Sequence, residues 1–342
     1  MTAASALPRP AAGMTLCTLI PAFKVQFLPD LLACLERQTV KPDAVLLSDD
    51  SPGADFVQAL AGMPERCAAL KLAVVRGPRQ GAWANIRHLA QWWAGRSALV
   101  HLYFDDDLIY PGFYERHFAL HAGRRFAATV SLRWTADERG LPLEAPHLPA
   151  AVRQHPQRVL TLDAALAFAS TVGEGRNWLG EFSNAVLDGA LLPFVVRPVL
   201  AGVPVIGLED LATFLAAATR GPLGLVNEPL GCFRTSPGQN TAQVQGLVMK
   251  LSTCAWLPLA LAGERLGLLS AAQRQRCAQV IGPMLIGRYG TDPDLAPLAA
   301  AAAALMLGGT SAPARLLDAW QTLVAAKVPH VLDPEPTTAE TA

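Results

Sequence analysis

The sequence ALVHLYFDDDLIYP, residues 98–111, joins an apolar run directly to three consecutive aspartates. The run Ala98–Phe104 is short and does not alternate polar with apolar residues, which predicts a strand that is buried on both faces. Three carboxylates in succession repel one another unless a cation neutralises them, and carboxylate oxygens suit Mg²⁺ or Mn²⁺. Asp105–Asp107 are therefore candidate metal ligands, although a solvated acidic turn or a helix N-cap would use the same residue type.

Similar short apolar runs precede this one and alternate with helical patterns. We predict strands at Leu16–Phe23, Ala44–Leu47 and Leu72–Val75, and helices over Leu28–Gln38 and Ala82–Trp93. Short strands of this kind, joined by amphipathic helices, are typical of a parallel sheet that is covered on both faces. The N-terminal part of the chain is therefore predicted to be a doubly wound, mostly parallel α/β domain.

Acidic and aromatic residues stand where these strands end. Asp49 and Asp50 follow the second predicted strand, and Pro21 and Phe23 close the first. Ligands of a doubly wound sheet bind beyond the carboxyl ends of its strands, so these residues and the aspartate run are expected at one edge. Two acidic clusters at the same edge favour a site for a metal ion and a nucleotide.

Composition limits the classes of partner. The chain has 342 residues, with 28 basic and 28 acidic side chains, and 51% of its residues are hydrophobic. This composition excludes a disordered or collagen-like chain, and the balanced charge predicts no nucleic-acid partner. The six cysteines are dispersed without a Cys-x-x-Cys pair, which indicates reduced thiols in a cytosolic protein and not a zinc site.

Targeting segments are not visible in the sequence. Residues 1–13 contain no basic segment followed by an apolar run, so we expect no signal peptide. The uncharged stretch Leu295–Ala314 is rich in alanine and is interrupted by Pro297 and Gly308, which predicts a buried helix and not a membrane span. We therefore expect a cytoplasmic protein, and a peripheral contact with the inner face of the membrane stays open.

The remaining pattern divides the chain. Phe126–Trp134 is predicted as a strand, Gly140–Gln157 as a loop, and Gln245–Val328 as an almost wholly helical segment. The predicted organisation is a flexible N-terminus over 1–13, an α/β domain over 14–242, a helical C-terminal region over 243–330 and a disordered tail over 331–342. The helical region is expected to buttress the α/β domain, with acceptor recognition, partner recognition and oligomer contacts as the alternatives.

Five motifs occur in order and together carry a resemblance to a known family. They are Ile20–Phe23, Gln38–Thr39, Leu47–Ser51, Gly81–Asn85 and Tyr103–Pro111, and Gly207–Leu211 follows later as a match to the acidic motif on the acceptor side. This set resembles the family 2 glycosyltransferases of the GT-A fold, over residues 15–240. The resemblance implies a GT-A-like sheet and the transfer of a sugar from a nucleoside-diphosphate donor.

On the nucleotide side, the resemblance implies roles for five residues. Pro21 and Phe23 match the segment that lines the base, where an aromatic ring stacks. Asp50, with Asp49 beside it, matches the acid that accepts a hydrogen bond from the base. Asn85 matches a polar residue close to the nucleotide.

On the reaction side, the resemblance implies a metal site and a catalytic base. Asp105 would face the ribose, and Asp106 and Asp107 would hold Mn²⁺ or Mg²⁺ on the diphosphate. Asp210 matches the general base that deprotonates the acceptor hydroxyl, with Glu209 beside it. A base opposite the leaving group gives inversion at the anomeric carbon.

The implied activity is an inverting, metal-dependent transfer, with a UDP-sugar as the preferred donor. The acceptor would be a glycan, a lipid-linked intermediate or a protein side chain, as in cell-surface glycan biosynthesis. One departure concerns the metal, because relatives often carry an Arg-x-His sequence where this chain has Arg234-Thr235-Ser236. Two alternatives stay open, a non-catalytic scaffold subunit and a sugar nucleotidyltransferase.

Overall fold

The computed structural model describes residues 15–123, 126–145, 147–236, 239 and 242–329. The flexible segment predicted at 1–13 and the disordered tail predicted at 331–342 lie outside these residues. The chain forms two compact units. The α/β unit comprises Met1–Ala164, Trp178–Val196 and Thr213–Ser236, and the helical unit comprises Ala165–Asn177, Arg197–Ala212 and Pro237–Ala342. The domain boundary predicted between residues 242 and 243 stays a prediction.

The strands and helices have the following bounds. The strands are β1 Leu16–Ala22, β2 Ala44–Asp49, β3 Leu72–Arg76, β4 Leu99–Leu102, β5 Leu108–Ile109, β6 Ala128–Ala136, β7 Pro142–Glu144, β8 Val159–Leu162, β9 Ala185–Asp188, β10 Val199–Leu200, β11 Val203–Pro204 and β12 Leu223–Arg234. The helices are α1 Leu28–Glu36, α2 Asp55–Ala61, α3 Pro64–Ala69, α4 Ala82–Trp93, α5 Phe113–Gly123, α6 Ala150–Arg153, α7 Ala164–Ser170, α8 Leu192–Val196, α9 Glu209–Arg220, α10 Leu247–Arg265, α11 Ala271–Tyr289, α12 Ala296–Met306 and α13 Ala312–Lys327.

The α/β unit is built on one sheet with the strand order β3-β2-β1-β4-β9-β6-β12-β5. Strands β3, β2, β1 and β4 run parallel, and so do β6 and β12. The short strand β9 lies between β4 and β6 and runs antiparallel to both. The predicted fold class, a doubly wound and mostly parallel sheet with a helical C-terminal region, is confirmed.

The four N-terminal strands form where the apolar runs predicted them; β1, β2 and β4 are buried almost throughout, whereas β3, at the end of the strand order, is half-buried. Every residue of β1 is buried, and Leu31, Leu32 and Leu35 of α1 are buried in the same core. Each fully buried leucine side chain contributes about 1.5–3 kcal/mol relative to an exposed one. Burial of the strands therefore fixes their carboxyl ends, where the candidate site lies.

Three features of the α/β unit differ from the predictions. The residues predicted as the loop Gly140–Gln157 contain β7 and α6. The helices α2 and α3 were not predicted, and neither was β12, the longest strand. Pro229 lies within β12, and a proline in a sequence segment indicates a turn more often than the interior of a strand. The pairing of β12 with β6 shifts register on either side of Pro229, so the missing N–H falls at an irregularity of the ladder.

The helical unit contains α10–α13, as the pattern over Gln245–Val328 predicted. The uncharged stretch Leu295–Ala314 forms α12 and the first residues of α13, with Leu298 and Leu305 buried. Gly207 has a φ of +91°, and a Cβ there would lie 2.4 Å from the backbone nitrogen of Ser252. Glycine is therefore needed where the chain enters α9. Among the residues described, no helix has both the length and the apolar character to cross a bilayer.

Candidate active site

The loops that follow β1 and β4 meet at the acidic run. The two strands pair in parallel, with Leu19 opposite Leu102, so the residues beyond their carboxyl ends are neighbours. The backbone N–H groups of Phe23 and Lys24 donate to Asp105 Oδ2 at 2.7 Å and 2.6 Å. Asp105 is thereby fixed against the segment that the sequence predicted to line the base.

Asp106 and Asp107 have different surroundings. Asp106 Oδ2 forms an ion pair with Lys24 Nζ. Asp107 is 1% exposed, and its Oδ1 accepts the backbone N–H of Arg234 at 3.2 Å. Asp107 Oδ2 is buried and receives no hydrogen bond of ordinary geometry from the described residues, although the Ser183 hydroxyl lies near enough to lower the pKa of the carboxyl. An anionic oxygen in this state is costly, and a cation would offset the cost.

The electrostatics of the run agree with its geometry. Burial, and then the charge of Asp106, raise the pKa of Asp105 to about 6 against the pull of the Phe23 and Lys24 N–H groups. Burial and Asp106 also raise the pKa of Asp107, and the Ser183 hydroxyl opposes that shift. A perturbed carboxyl pair of this kind is typical of functional sites.

The residues present fit a metal that is shared with a phosphate ligand. No group of three His, Cys, Asp or Glu side chains in the described part of the chain forms a metal site by itself. The buried Oδ2 of Asp107 and the neighbouring Asp106 supply two carboxylates. Diphosphate oxygens complete such a set in many sites for Mg²⁺ and Mn²⁺.

Asp50 and Asn85 lie together at the predicted base subsite. Asp50 accepts the backbone N–H groups of Arg79 and of Gly81, the latter at 3.3 Å. Asn85 is buried and donates to the carbonyl of Ser48 at 2.9 Å, and its Oδ1 has no partner among the described residues. A Cβ on Gly77 would lie 2.7 Å from Asp50 Oδ1 and 2.9 Å from Asn85 Oδ1. Asp50 Oδ1 and Asn85 Oδ1 therefore both lie close to the Gly77 backbone, and a side chain at position 77 would collide with them.

The other three predicted nucleotide residues have distinct environments. Phe23 is 57% exposed, which is unusual for an aromatic ring and leaves a face free for stacking. Pro21 is buried within β1. Asp49 is buried at the last position of β2, where it accepts the N–H groups of Ser51 and Val57 at 2.9 Å and 3.0 Å. Both carboxylate oxygens of Asp49 thus hold the turn after the strand.

An arginine–glutamate pair beside Asp107 was not predicted. Arg133 Nε and Nη2 donate to the two oxygens of Glu181 at 2.6 Å and 2.7 Å. Both residues line a cavity of about 10 Å³ together with Asp107 and Ser183. Gly180 has a φ of +103°, and a Cβ there would lie 2.8 Å from Arg133 Nε. The sequence offered one signal for this pair: Arg133 and Glu181 are each a charged residue within a mostly uncharged segment.

Glu209 and Asp210 begin α9 in the helical unit. Glu209 Oε1 accepts the N–H of Gly207 at 2.6 Å, and Asp210 Oδ1 accepts the N–H of Leu211 at 2.6 Å. Although Glu209 keeps some exposure, burial raises its pKa. Carboxylates are favourable in a first helical turn because of the helix dipole.

Comparison with solved structures identifies the fold as the GT-A fold of glycosyltransferases. S. aureus TarS 1–349 in complex with UDP-GlcNAc superposes with a TM-score of 0.52 and 11% identity, covering 91% of this chain and 90% of that one. The UDP complex of the same protein gives 0.53 and 13%, with 91% and 90% coverage.

A second neighbour is a mannosyltransferase. The mannosyltransferase PcManGT from Pyrobaculum calidifontis, in complex with GDP-Man and Mn²⁺, gives a TM-score of 0.52 and 15% identity, covering 91% of this chain and 87% of that one. No family model matches the sequence, and no curated protein matches it. The fold implied by the sequence motifs is confirmed.

Proposed function

We propose that the chain is an inverting, divalent-metal-dependent glycosyltransferase that uses a nucleoside-diphosphate sugar, with a UDP-sugar preferred. One observation carries the proposal. Asp107 presents a buried carboxylate oxygen that receives no hydrogen bond of ordinary geometry from the described residues, next to Asp106 and beyond the strands where this fold class binds ligands. Both structural neighbours contain a nucleotide sugar or its nucleotide, and one contains Mn²⁺.

The nucleotide subsite follows from the residues around β1 and β2. The exposed ring of Phe23 stacks on the base, while Asp50 accepts a hydrogen bond from a base N–H. Asn85 Oδ1 accepts a further hydrogen bond at the same subsite. Asp105, which is held by the backbone after β1, faces the ribose hydroxyls.

Asp106 and Asp107 are proposed to hold Mn²⁺ or Mg²⁺ with the donor diphosphate. When bound, the metal supplies Lewis-acid stabilisation of the charge on the departing diphosphate. Lys24 exchanges from Asp106 to a phosphate oxygen, so the positive charge of its ammonium group is kept near the leaving group. Ser236 replaces the histidine of many relatives, so the protein contributes two carboxylates and no imidazole.

Asp210 is proposed as the general base that takes the proton of the acceptor hydroxyl, with Glu209 as its neighbour. Attack on the anomeric carbon from the face opposite the diphosphate inverts its configuration. The acceptor is a hydroxyl of a glycan, a lipid-linked intermediate or a protein, as the family resemblance implies. The family resemblance alone selects Asp210 over Glu209 as the base.

The first experiment is calorimetric binding of UDP, GDP, CDP and dTDP, each with and without Mn²⁺. We expect tight binding of one nucleotide only when the metal is present. Release of that nucleotide from its sugar conjugate, with and without acceptor extracts, then measures turnover. Asp210→Asn should keep nucleotide affinity and lose transfer by at least about 100-fold.

Asp318→Asn, at an exposed position of α13, is the matched control and should change neither property. Absence of binding for all four nucleotides under both conditions would overturn the donor site. Full transfer by Asp210→Asn would overturn the assignment of the base. Binding without turnover in any acceptor mixture would favour the scaffold alternative.

A further inference from the structure

A second cavity lies beside α1 and β5. Its volume is about 260 Å³, and it is lined by residues of α1, β5, the turn between β6 and β7, and the end of β12. Its charged lining residues are Asp30, Arg37, Arg139 and Arg234. None of the proposed nucleotide, metal or base residues lines it, so the proposed transfer reaction leaves it without a role.

The charge of the lining is unbalanced. Three guanidinium groups face one carboxylate, and that carboxylate, on Asp30, pairs with Arg234 Nη2 at 2.5 Å. The guanidinium groups of Arg37 and Arg139 have no ion pair or hydrogen bond within the described residues. Like charges around one cavity repel, and water screens the repulsion only in part although Arg37 and Arg139 are exposed, because Arg234 is buried. A bound anion would reverse this cost.

Arg234 is held rigidly at the base of the cavity. Its side chain is 2% exposed, and its guanidinium carbon lies 4.5 Å from the centroid of the Phe27 ring. Gly140, in the turn that carries Arg139, has a φ of +80°, and a Cβ there would lie 3.4 Å from Arg234 Nη2. The turn therefore packs closely on Arg234 and positions a second arginine at the same cavity.

The chemistry of the lining selects the ligand class. Guanidinium groups bind phosphate oxygens through paired N–H donors, which is a stronger match than a single ammonium offers. The cavity has room for about eight or nine waters, each of which occupies about 30 Å³ in the liquid. That volume exceeds what one inorganic phosphate fills, so it leaves room for a group attached to the phosphate.

We propose that this cavity binds the phosphate group of a phosphate ester, through Arg37, Arg139 and Arg234 and without a metal ion. Asp30 competes with the ligand for Arg234. The cavity shares no lining residue with the proposed donor site, although the backbone N–H of Arg234 donates to Asp107 Oδ1. The inference goes beyond the proposed transfer reaction because this site needs neither nucleotide nor metal.

The test is calorimetry in EDTA at low salt, with inorganic phosphate and glycerol 3-phosphate as the probes. Arg37→Ala and Arg139→Ala should each weaken binding about tenfold, because each removes a charge-assisted contact. Asp30→Asn should tighten binding, since it removes the competing carboxylate. Arg96→Ala, at an exposed arginine after α4, should leave the affinity unchanged.

Two further variants keep the outcome clear. Arg37→Lys should restore part of the affinity that Arg37→Ala loses, and Asp50→Asn should keep the wild-type affinity, because Asp50 belongs to the proposed donor site and does not line the cavity. Tighter binding of the ester than of inorganic phosphate would place the attached group in the cavity, and equal binding would identify phosphate alone as the ligand. No binding of either probe, or equal affinities for wild type, Arg37→Ala and Arg139→Ala, would overturn the proposal.

Discussion

Lys24 and Asp106 form an ion pair between the loop after β1 and the acidic run after β4. The ammonium group stands where a divalent cation would neutralise the same carboxylate. The pair therefore stabilises the acidic run when no metal is bound, and it competes with metal binding. Because Lys24 can pair with a phosphate only when the nucleotide is present, the competition should weaken the binding of metal alone more than the binding of a metal–nucleotide complex.

Replacing Lys24 by methionine should strengthen the binding of Mn²⁺ alone by about tenfold, because the competing charge near Asp106 is removed. Titration followed by electron paramagnetic resonance of free Mn²⁺ measures this affinity directly. Lys71→Met, at an exposed lysine before β3, is the control and should leave it unchanged. Weaker Mn²⁺ binding by Lys24→Met would contradict the competition.

Asp107→Asn should separate stability from function. Burial opposes the charged form of this carboxyl, so the amide should leave the free energy of unfolding equal or higher. The same change removes a proposed metal ligand and should weaken metal-dependent nucleotide binding by at least about 100-fold. Denaturant unfolding and calorimetry on the same preparation measure the two effects. A loss of stability without a loss of nucleotide affinity would assign Asp107 a purely structural role.

A methyl group at Gly77 should displace the base subsite. The added Cβ would meet Asp50 Oδ1 at 2.7 Å and the Asp50 Cα at 3.1 Å, so the backbone itself must shift. We expect Gly77→Ala to cost about 1–3 kcal/mol of stability and to weaken nucleotide binding. Gly112→Ala, where a Cβ meets nothing within 4 Å, is the matched control. If Gly77→Ala bound the nucleotide with wild-type affinity, the assignment of Asp50 and Asn85 to the base subsite would be wrong.

The Arg133–Glu181 pair should show strong coupling. Arg133→Met removes the bidentate ion pair of the Glu181 carboxylate, which is 19% exposed. The negative charge of Glu181 then stands unpaired beside that of Asp107. The expected cost is about 2 kcal/mol in the free energy of unfolding. A cycle with Glu181→Gln and the double variant should give a coupling energy of about 1–2 kcal/mol. Additive single effects would show that the pair contributes little as a unit.

His101 should make the protein less stable in acid. Its ring is fully buried between the Tyr114 hydroxyl and the Ser183 carbonyl, each at 3.0 Å, and burial lowers its pKa to about 3. In the unfolded chain the His101 ring therefore takes up a proton near pH 6.5, whereas in the folded chain it stays neutral until the pH approaches 3. This contribution to stability is complete above pH 6.5 and is lost as the pH falls toward 3, by about 3 kcal/mol at pH 4.

The measurement compares wild type with His101→Gln in urea unfolding between pH 7 and pH 4. The difference between the two should shrink on acidification, because glutamine does not titrate. If the variant fails to fold, the proton NMR titration of the His101 ring in wild type decides the matter. A ring that titrates near pH 6.5 in the folded protein would contradict the prediction.

The edge of the sheet was predictable from sequence because buried parallel strands appear as apolar runs. The ends of β1 and β4 lie within two residues of the predicted ones, so Asp50 and Asp105–Asp107 were found as neighbours. Asp49 shows the limit, since β2 extends two residues beyond the predicted end and places Asp49 in the strand, where its carboxylate holds the following turn.

Residues joined only by the tertiary fold escaped the sequence patterns. Arg133 and Glu181 are 48 positions apart, and no periodicity connects a charge in β6 with one before β9. Arg234 and Asp30 are 204 positions apart and meet beside the cavity of α1. Such pairs depend on strand order, which short-range propensity does not specify.

The position of β9 also bears on how the chain is made by the ribosome. β4 ends at residue 102, and its partner β9 begins at residue 185. At about 5–20 residues per second, roughly 4–17 s pass between the synthesis of these two strands. During that interval a nascent sheet of β3, β2, β1 and β4 would carry an open edge at Leu99 and Val100, which are the residues that β9 later covers. Nascent chains are therefore most exposed to mispairing before residue 188 emerges, and slower synthesis of this segment would lengthen their need for a chaperone.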